Sequence, residues 1–201
     1  MATFQARVED YVGTFSDTGA LSDWLTAGAR KLVDFIPQER AHEWAINLVY
    51  SAGGVSISGK RVISARNGSY GAIKRDENIV GNVVDTSSIW YATLVDPVYI
   101  IKEGKIYIYP ESGTPSASII TYPTVAFSDS TIANFPNFFE QVVVLYATIQ
   151  ALEQMLNDAT DVEEDLEKAQ MITFQVNTIK REYERCLSLY LGQFKPEGAK
   201  E

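Results

Sequence analysis

The chain has 201 residues, 46% of them hydrophobic and 21% charged, with thirteen glycines and seven prolines, the composition of a folded globular chain and not of a disordered one. Seventeen Lys and Arg against twenty-six Asp and Glu leave a net charge of −9 and a pI near 4.7, so bulk attraction to nucleic acid or anionic lipid is not the organising force, although a local basic patch is compatible with it. The single cysteine, Cys186, excludes an intrachain disulfide and points to a reducing compartment, and the single histidine, His42, excludes zinc sites built from several Cys and His.

No stretch approaches the roughly 18 apolar residues of a membrane span, and residues 1–7 lack the basic-then-apolar pattern of a secretory signal, so the protein is expected to stay where it is made. From Thr3 to Gly13, Phe4, Val8, Tyr11 and Val12 recur every three to four positions and predict a first helix. Leu21, Trp24, Leu25, Leu32 and Phe35 keep that period over roughly Ala20 to Phe35, until Pro37 biases Ile36 away from helical dihedrals. Trp44, Leu48, Ala41 and Ala45 share a helical face and predict one more short helix between Glu39 and Tyr50.

From Ser51 to Pro123 short runs of Val, Ile, Tyr and Thr separated by glycine turns predict a small antiparallel sheet. Arg61–Arg66 and Tyr70–Lys74 flank Asn67-Gly68 as one hairpin. Val98–Lys102 and Lys105–Tyr109 flank Glu103-Gly104 as a second, with Tyr107 and Tyr109 on one face and Ile106 and Ile108 on the other. Ser116–Tyr122 adds a strand, punctuated by Pro110, Pro115 and Pro123, while Arg75–Val95 shows no single period and is expected as a long loop.

The last third carries the strongest helical pattern. Phe138, Val142, Leu145, Ile149, Leu152 and Leu156 form one stripe, and Leu166, Ala169, Ile172, Val176, Ile179, Tyr183, Leu187 and Tyr190 a second. Between them Asn157–Asp161 is expected as a turn, with Glu163, Glu164 and Asp165 favoured at the next helix start, so the two helices form an antiparallel hairpin. Gly192 ends it, and Gln193–Glu201 is expected as a flexible polar tail. The fold class is α+β: a mainly α-helical bundle from the N- and C-terminal helices with a central β module, in one domain divided into 1–50, 51–123, 134–191 and 192–201.

No catalytic, cofactor-binding or metal-binding set rises above background, so no enzyme activity and no cofactor are expected. Gly54–Arg61 spells all but the last position of a phosphate loop, yet Arg61 stands where the metal-binding hydroxyl belongs and the following residues read as strand. The acids Asp158, Asp161, Glu163, Glu164, Asp165 and Glu167 lack the glycine of a calcium loop and read as capping and solvation. His42 and Cys186 read as unrelated residues, and no G-x-S-x-G accompanies the histidine. Trp24, Trp44, Trp90 and eleven tyrosines serve core and subunit interfaces equally well.

Three blocks resemble virion proteins of tailed bacteriophages: Leu21–Arg30 running to Phe35-Ile36-Pro37, Tyr91–Tyr99 followed by Glu103–Pro110, and Asn134–Glu140 leading into Val143–Ala147. The resemblance is to head-to-tail adaptors, the neck connectors. It implies a structural protein that joins the portal ring after genome packaging, docks the tail and forms part of the DNA channel. It implies as partners the portal protein, tail or neck proteins and further copies of itself in a ring of about twelve, with different patches meeting head to tail. DNA then passes without specific binding, which the net charge of −9 suits. The implied location is the virion head-tail junction, after assembly in the bacterial cytoplasm, with no membrane involved.

Under this resemblance Gln193, Phe194, Lys195 and Pro196 are the expected portal-docking residues. Lys102, Glu103, Gly104 and Lys105, together with the Arg75–Val95 loop, are the expected contacts for tail or neighbour. A tail terminator, neck stopper or tail-tube component would keep the class and change the partner. A non-viral acidic protein-binding module and an enzyme using a carboxylate pair are the alternatives of other classes.

Overall fold

The computed structural model describes residues 1–51, 53–160 and 166–192. The chain is α+β, as its patterning predicts, and forms two units: Met1–Ile36 with Pro123–Glu201, and Pro37–Tyr122.

In the first unit, helix α1 (Phe4–Val12) starts where the Thr3 hydroxyl accepts from Ala6 N–H and stops at Gly13, whose φ of 78° suits a residue without Cβ. The Asp17 carboxylate caps α2 (Thr18–Phe35) by accepting from Ala20 N–H at 2.9 Å. The helix ends at extended Ile36, before Pro37. Helix α5 (Asn137–Thr160) is central, packed by α1, α2 and α6 (Leu166–Gly192). Helices α5 and α6 run antiparallel: Phe138 meets Tyr190, Tyr146 meets Tyr183, and Glu153 pairs with Lys180 at 2.8 Å.

The α5 stripe is wider than the periodicity predicts. Phe139, Val143, Val144, Ala147 and Ala151 are buried beside Val142, Leu145 and Leu152, while Phe138 is 40% exposed, because a helix covered on several sides needs several apolar faces. The expected turn at Asn157–Thr160 is instead the last turn of α5. Ala159 is buried in the cluster that joins α5 to Ile172, Val176 and Ile179 of α6, and that packing overrides the turn preference of Asn157 and Asp158. Asp161, Glu163, Glu164 and Asp165 lie outside the described residues.

Side chains stitch the loop after residue 123 to this unit. Thr26 Oγ1 donates to Val125 C=O and accepts from its N–H, and Ser22 Oγ accepts from Phe127 N–H. Two of the free N–H groups at the start of α1, those of Phe4 and Gln5, donate to Asp129 and Phe127 carbonyls at 2.8 and 3.0 Å.

The second unit corrects several expectations. The helix expected from Glu39 to Tyr50 is one turn only, α3 (Gln38–Ala41), followed by strand β1 (Ile46–Val49). The run Ile46-Asn47-Leu48-Val49 finds an antiparallel partner in β8 (Pro115–Thr121), with Ile46 opposite Ile119, and ladder pairing outweighs a weak helical pattern.

The single sheet is in fact two four-stranded sheets. One has the order β1, β8, β3 (Lys60–Asn67), β4 (Tyr70–Gly71). The other has the order β2 (Val55–Ser56), β7 (Lys105–Tyr109), β6 (Val98–Lys102), β5 (Ile73–Arg75). The expected Tyr70–Lys74 strand is therefore split: Tyr70 and Gly71 close the hairpin on β3, and Ile73–Arg75 joins the second sheet parallel to β6. The long connection from Arg75 to Val98 makes that parallel pairing feasible, so the module is not wholly antiparallel.

The sheets face each other through Ala65, Ala117 and Ile119 on one and Ile106 and Ile108 on the other. The opposite face of the second sheet is also covered. Val98 and Ile100 pack with Val83 and Ala92, so Arg75–Val95 is not simply a loop: it holds a 3-10 turn at Glu77–Ile79 and helix α4 (Val80–Val84). A bulge between Val62 and Ser64 leaves Ile63 outside the β3–β8 ladder and buried. Its carbonyl accepts from Gln38 Nε2 at 2.6 Å.

Candidate functional site

Gln193, Phe194, Lys195 and Pro196 lie outside the described residues. The second expected contact, Lys102-Glu103-Gly104-Lys105, is the exposed tip of the β6–β7 hairpin, as its sequence predicts. Glu103 and Gly104 have φ of 51° and 70°, the two positive values a tight two-residue hairpin needs. Lys102 Nζ lies 3.9 Å from Glu103 Oε1, and Gly104 C=O accepts from Ile57 N–H at 2.9 Å. The tip is thus a fixed, net-cationic point on an acidic chain.

His42 is exposed just after α3 in the β unit, while Cys186 sits half-buried on α6 against the α5–α6 cluster. Burial, then the neighbouring Glu182, pushes the Cys186 thiol up from its ordinary pKa, with Arg185 partly opposing, which disfavours the nucleophilic thiolate. The phosphate-loop-like stretch enters β2 and β3 and opens no helix. Gly54, at φ 84°, lies so close to Tyr107 that a Cβ would stand 2.8 Å from its ring. Among the described residues no group of three or more His, Cys, Asp or Glu is placed to hold a metal ion, and no helix is long and apolar enough to cross a membrane.

What the structure does present is exposed apolar surface. In the β unit, Ile89 is 90% exposed and Val95 66%, with Val84, Trp90, Tyr91 and Leu94 also open to solvent. The segment bearing them is tightly built. Ala92 N–H donates to Val83 C=O and Tyr91 N–H to Ser88 C=O. Asp85 accepts from the Ser87 hydroxyl at 2.7 Å and from its N–H at 2.9 Å, which holds its carboxyl below the ordinary pKa. With Val83 and Ala92 buried as anchors, the backbone displays Ile89 and Trp90 at a fixed tip, and the Arg75 guanidinium lies 4.7 Å from the Trp90 ring centre. Beside the tip, a groove of about 390 Å³ runs between Tyr91, Tyr109, Pro110 and Glu111.

In the helical unit, Met171 and Phe174 on α6 are 67% and 74% exposed. Phe174 borders a cleft of about 120 Å³ lined also by Tyr11, Leu152, Gln175, Thr178 and Ile179. A shallower hollow continues along Glu167, Gln170 and Met171.

The Arg75–Val95 segment is legible in the sequence as a candidate contact, though not its ordered apolar tip. Met171 and Phe174 are missed by the stripe of Leu166, Ala169, Ile172 and Val176. Their own signal is two large apolar residues three apart, off that stripe and among Glu167, Gln170 and Gln175. Compared with known proteins, the chain matches no family, and no curated protein matches it.

Proposed function

We propose that the chain is a virion structural protein, a head-to-tail adaptor of a tailed bacteriophage that docks on the portal ring, connects it to the tail and forms part of the DNA channel. In this reading α1, α2, α5 and α6 are the adaptor's helical bundle, Pro37–Tyr122 is its β module, and the tail Gln193–Glu201 engages the portal. The observation that carries the reading is the ordered apolar surface on both units, at Ile89 and Trp90 and at Met171 and Phe174. Exposed apolar residues gathered on rigid backbone mark interaction sites, and a subunit of a ring larger than a dimer needs two different ones. The resemblance in Leu21–Arg30, Tyr91–Tyr99 and Asn134–Glu140 supplies the kind of assembly. The protein works as a connector with no catalytic role.

Cross-linking mass spectrometry with copy-number quantification on purified particles tests this. About twelve copies cross-linked from residues 194–201 to the portal are expected. About six copies touching tail proteins alone would make it a tail component, and absence from particles would make it an acidic binding module of another kind. Deleting Gln193–Glu201 is expected to leave a folded protein that fails to join portals, and normal joining would overturn the docking role of the tail.

A further inference from the structure

The two apolar surfaces differ in shape. Ile89 and Trp90 stand exposed on an ordered turn, whereas Phe174 borders a recess and Met171 the hollow beside it. We infer that they are the two halves of one contact between copies of this chain: the Ile89–Trp90 tip of one copy seats in the α6 cleft of the next.

Three features support the match. The first is size: the cleft of about 120 Å³ is smaller than the roughly 150 Å³ that holds a benzene-sized group, so it suits one branched aliphatic side chain such as Ile89 and not a helix or strand. The second is chemistry: its lining by Leu152, Ile179 and Tyr11 offers apolar surface to Ile89, which at 90% exposure has almost its whole side chain to bury. The third is charge. Two copies of a chain carrying −9 repel unless the contact pairs opposite signs. Arg75 lies against Trp90 on the tip, and Glu167 stands on the hollow beside Met171. Of the acids in the tip segment, Asp85 already accepts two hydrogen bonds from Ser87 and Asp76 one from Asn78 N–H, and Glu77 lies in the 3-10 turn.

Where each copy gives its tip to one neighbour and takes another's in its cleft, the contact is heterologous and generates a ring where the rotation closes, whereas reciprocal exchange between two copies gives a two-fold dimer. It names the surfaces for the self-association that the adaptor reading requires and rests on that reading only there. Arg75 and the Ile89–Trp90 tip also fit together locally: the stacked guanidinium keeps the indole oriented while leaving N–H groups for an acid across the contact.

The test uses the full chain with Cys186→Ser, carrying either Ile89→Cys or Phe174→Cys. Mixing the two variants under mild oxidation is expected to give a disulfide-linked dimer, and neither alone is expected to do so at the same concentration. Arg75→Glu or Glu167→Arg is expected to reduce the cross-linking yield at least fivefold, and the two reversals mixed across copies to restore it. Trp90→Ala reads the same contact without a new thiol: self-association should weaken about tenfold with the thermal unfolding midpoint unchanged. Cross-linking of Ile89→Cys with itself, or no product from the mixture at about 1 mM chain, where a contact with a Kd of about 1 mM is substantially populated, would overturn the inference. Cross-linking in solution by a chain absent from particles would keep this contact and discard the virion reading. Particle-borne chain without the cross-link would do the reverse.

Discussion

Gly28 of α2 lies against the ring of Tyr146 on α5, so close that a Cβ at residue 28 would stand 2.8 Å from Cδ1 and 3.1 Å from Cγ. The same ring is gripped from its hydroxyl end, where Lys31 Nζ donates to the phenol oxygen at 2.9 Å. Gly28 is thus a contact device, letting one helix approach an aromatic side chain of another.

Gly28→Ala tests it. In an open helix the change would gain about 1 kcal/mol of propensity, but the overlap with a ring fixed between two helices costs about 1–3 kcal/mol, so net destabilisation is expected. Tyr146→Leu should relieve it: in a denaturant double-mutant cycle, Gly28→Ala is expected to be neutral or stabilising in the leucine background.

Asn67 is the buried polar residue among the described residues of the β unit, 2% exposed. Its Nδ2 donates to Pro110 and Ser112 carbonyls, both at 2.8 Å, and its Oδ1 accepts from Thr114 N–H at 2.9 Å. One side chain therefore serves three backbone groups of the turn before β8. Asn67→Leu removes all three bonds and leaves their partners short, for an expected loss of about 2–4 kcal/mol. Asn67→Asp retains the acceptor but turns a second oxygen toward the Pro110 and Ser112 carbonyls in a buried site, and should cost at least as much as Asn67→Leu in urea unfolding.

Glu140, 4% exposed, accepts from Ile132 N–H at 2.9 Å and from Arg7 Nη1 at 3.3 Å. It therefore ties α1 and the loop before α5 to the first turn of α5. Arg7→Ala removes one partner of a nearly buried carboxylate and is expected to cost about 2 kcal/mol, less than a fully buried pair because Arg7 keeps some exposure. Glu140→Ala should cost more, since it also orphans the Ile132 N–H. Restoration of full stability in the double variant would refute the backbone contribution.

Alkali should destabilise both units. Burial raises the pKa of Tyr183 in the helical unit and of Tyr50, Tyr99 and Tyr109 in the β unit, and Glu111 adds to the rise at Tyr50 and Tyr109. The hydrogen bond to Tyr146 is the largest cause of the rise at Lys31. In each case the folded chain holds its proton more tightly than the unfolded one. The stability these groups add is complete below their unfolded values near 10 and is lost as pH rises through the folded ones. The urea midpoint should therefore begin to decline above about pH 8, as the unfolded Cys186 thiol titrates, and fall further above about pH 9.5 as the tyrosines do, and Tyr183→Phe should flatten part of that later fall.

The parts of this protein that its sequence by itself determined are those governed by neighbours in the chain. The periods of Phe4–Val12 and of α2, α5 and α6, Pro37 as a stop, and Glu103-Gly104 between alternating strands all express local backbone preferences and one-sided burial. Tertiary structure decided what depends on distant partners. Residues 46–49 are a strand because Ile119, 73 positions away, stands opposite Ile46; Ile73–Arg75 leaves the first sheet because β6 offers it a parallel edge; and Asn157 and Asp158 stay helical because Ala159 packs on α6. The candidate surfaces fall in the same class. Hydrophobicity marks Ile89, Trp90, Met171 and Phe174 as residues for burial. Only the packed fold leaves them in solvent, because Val83 and Ala92 in one unit and Ile172 and Val176 in the other occupy the core positions their segments supply.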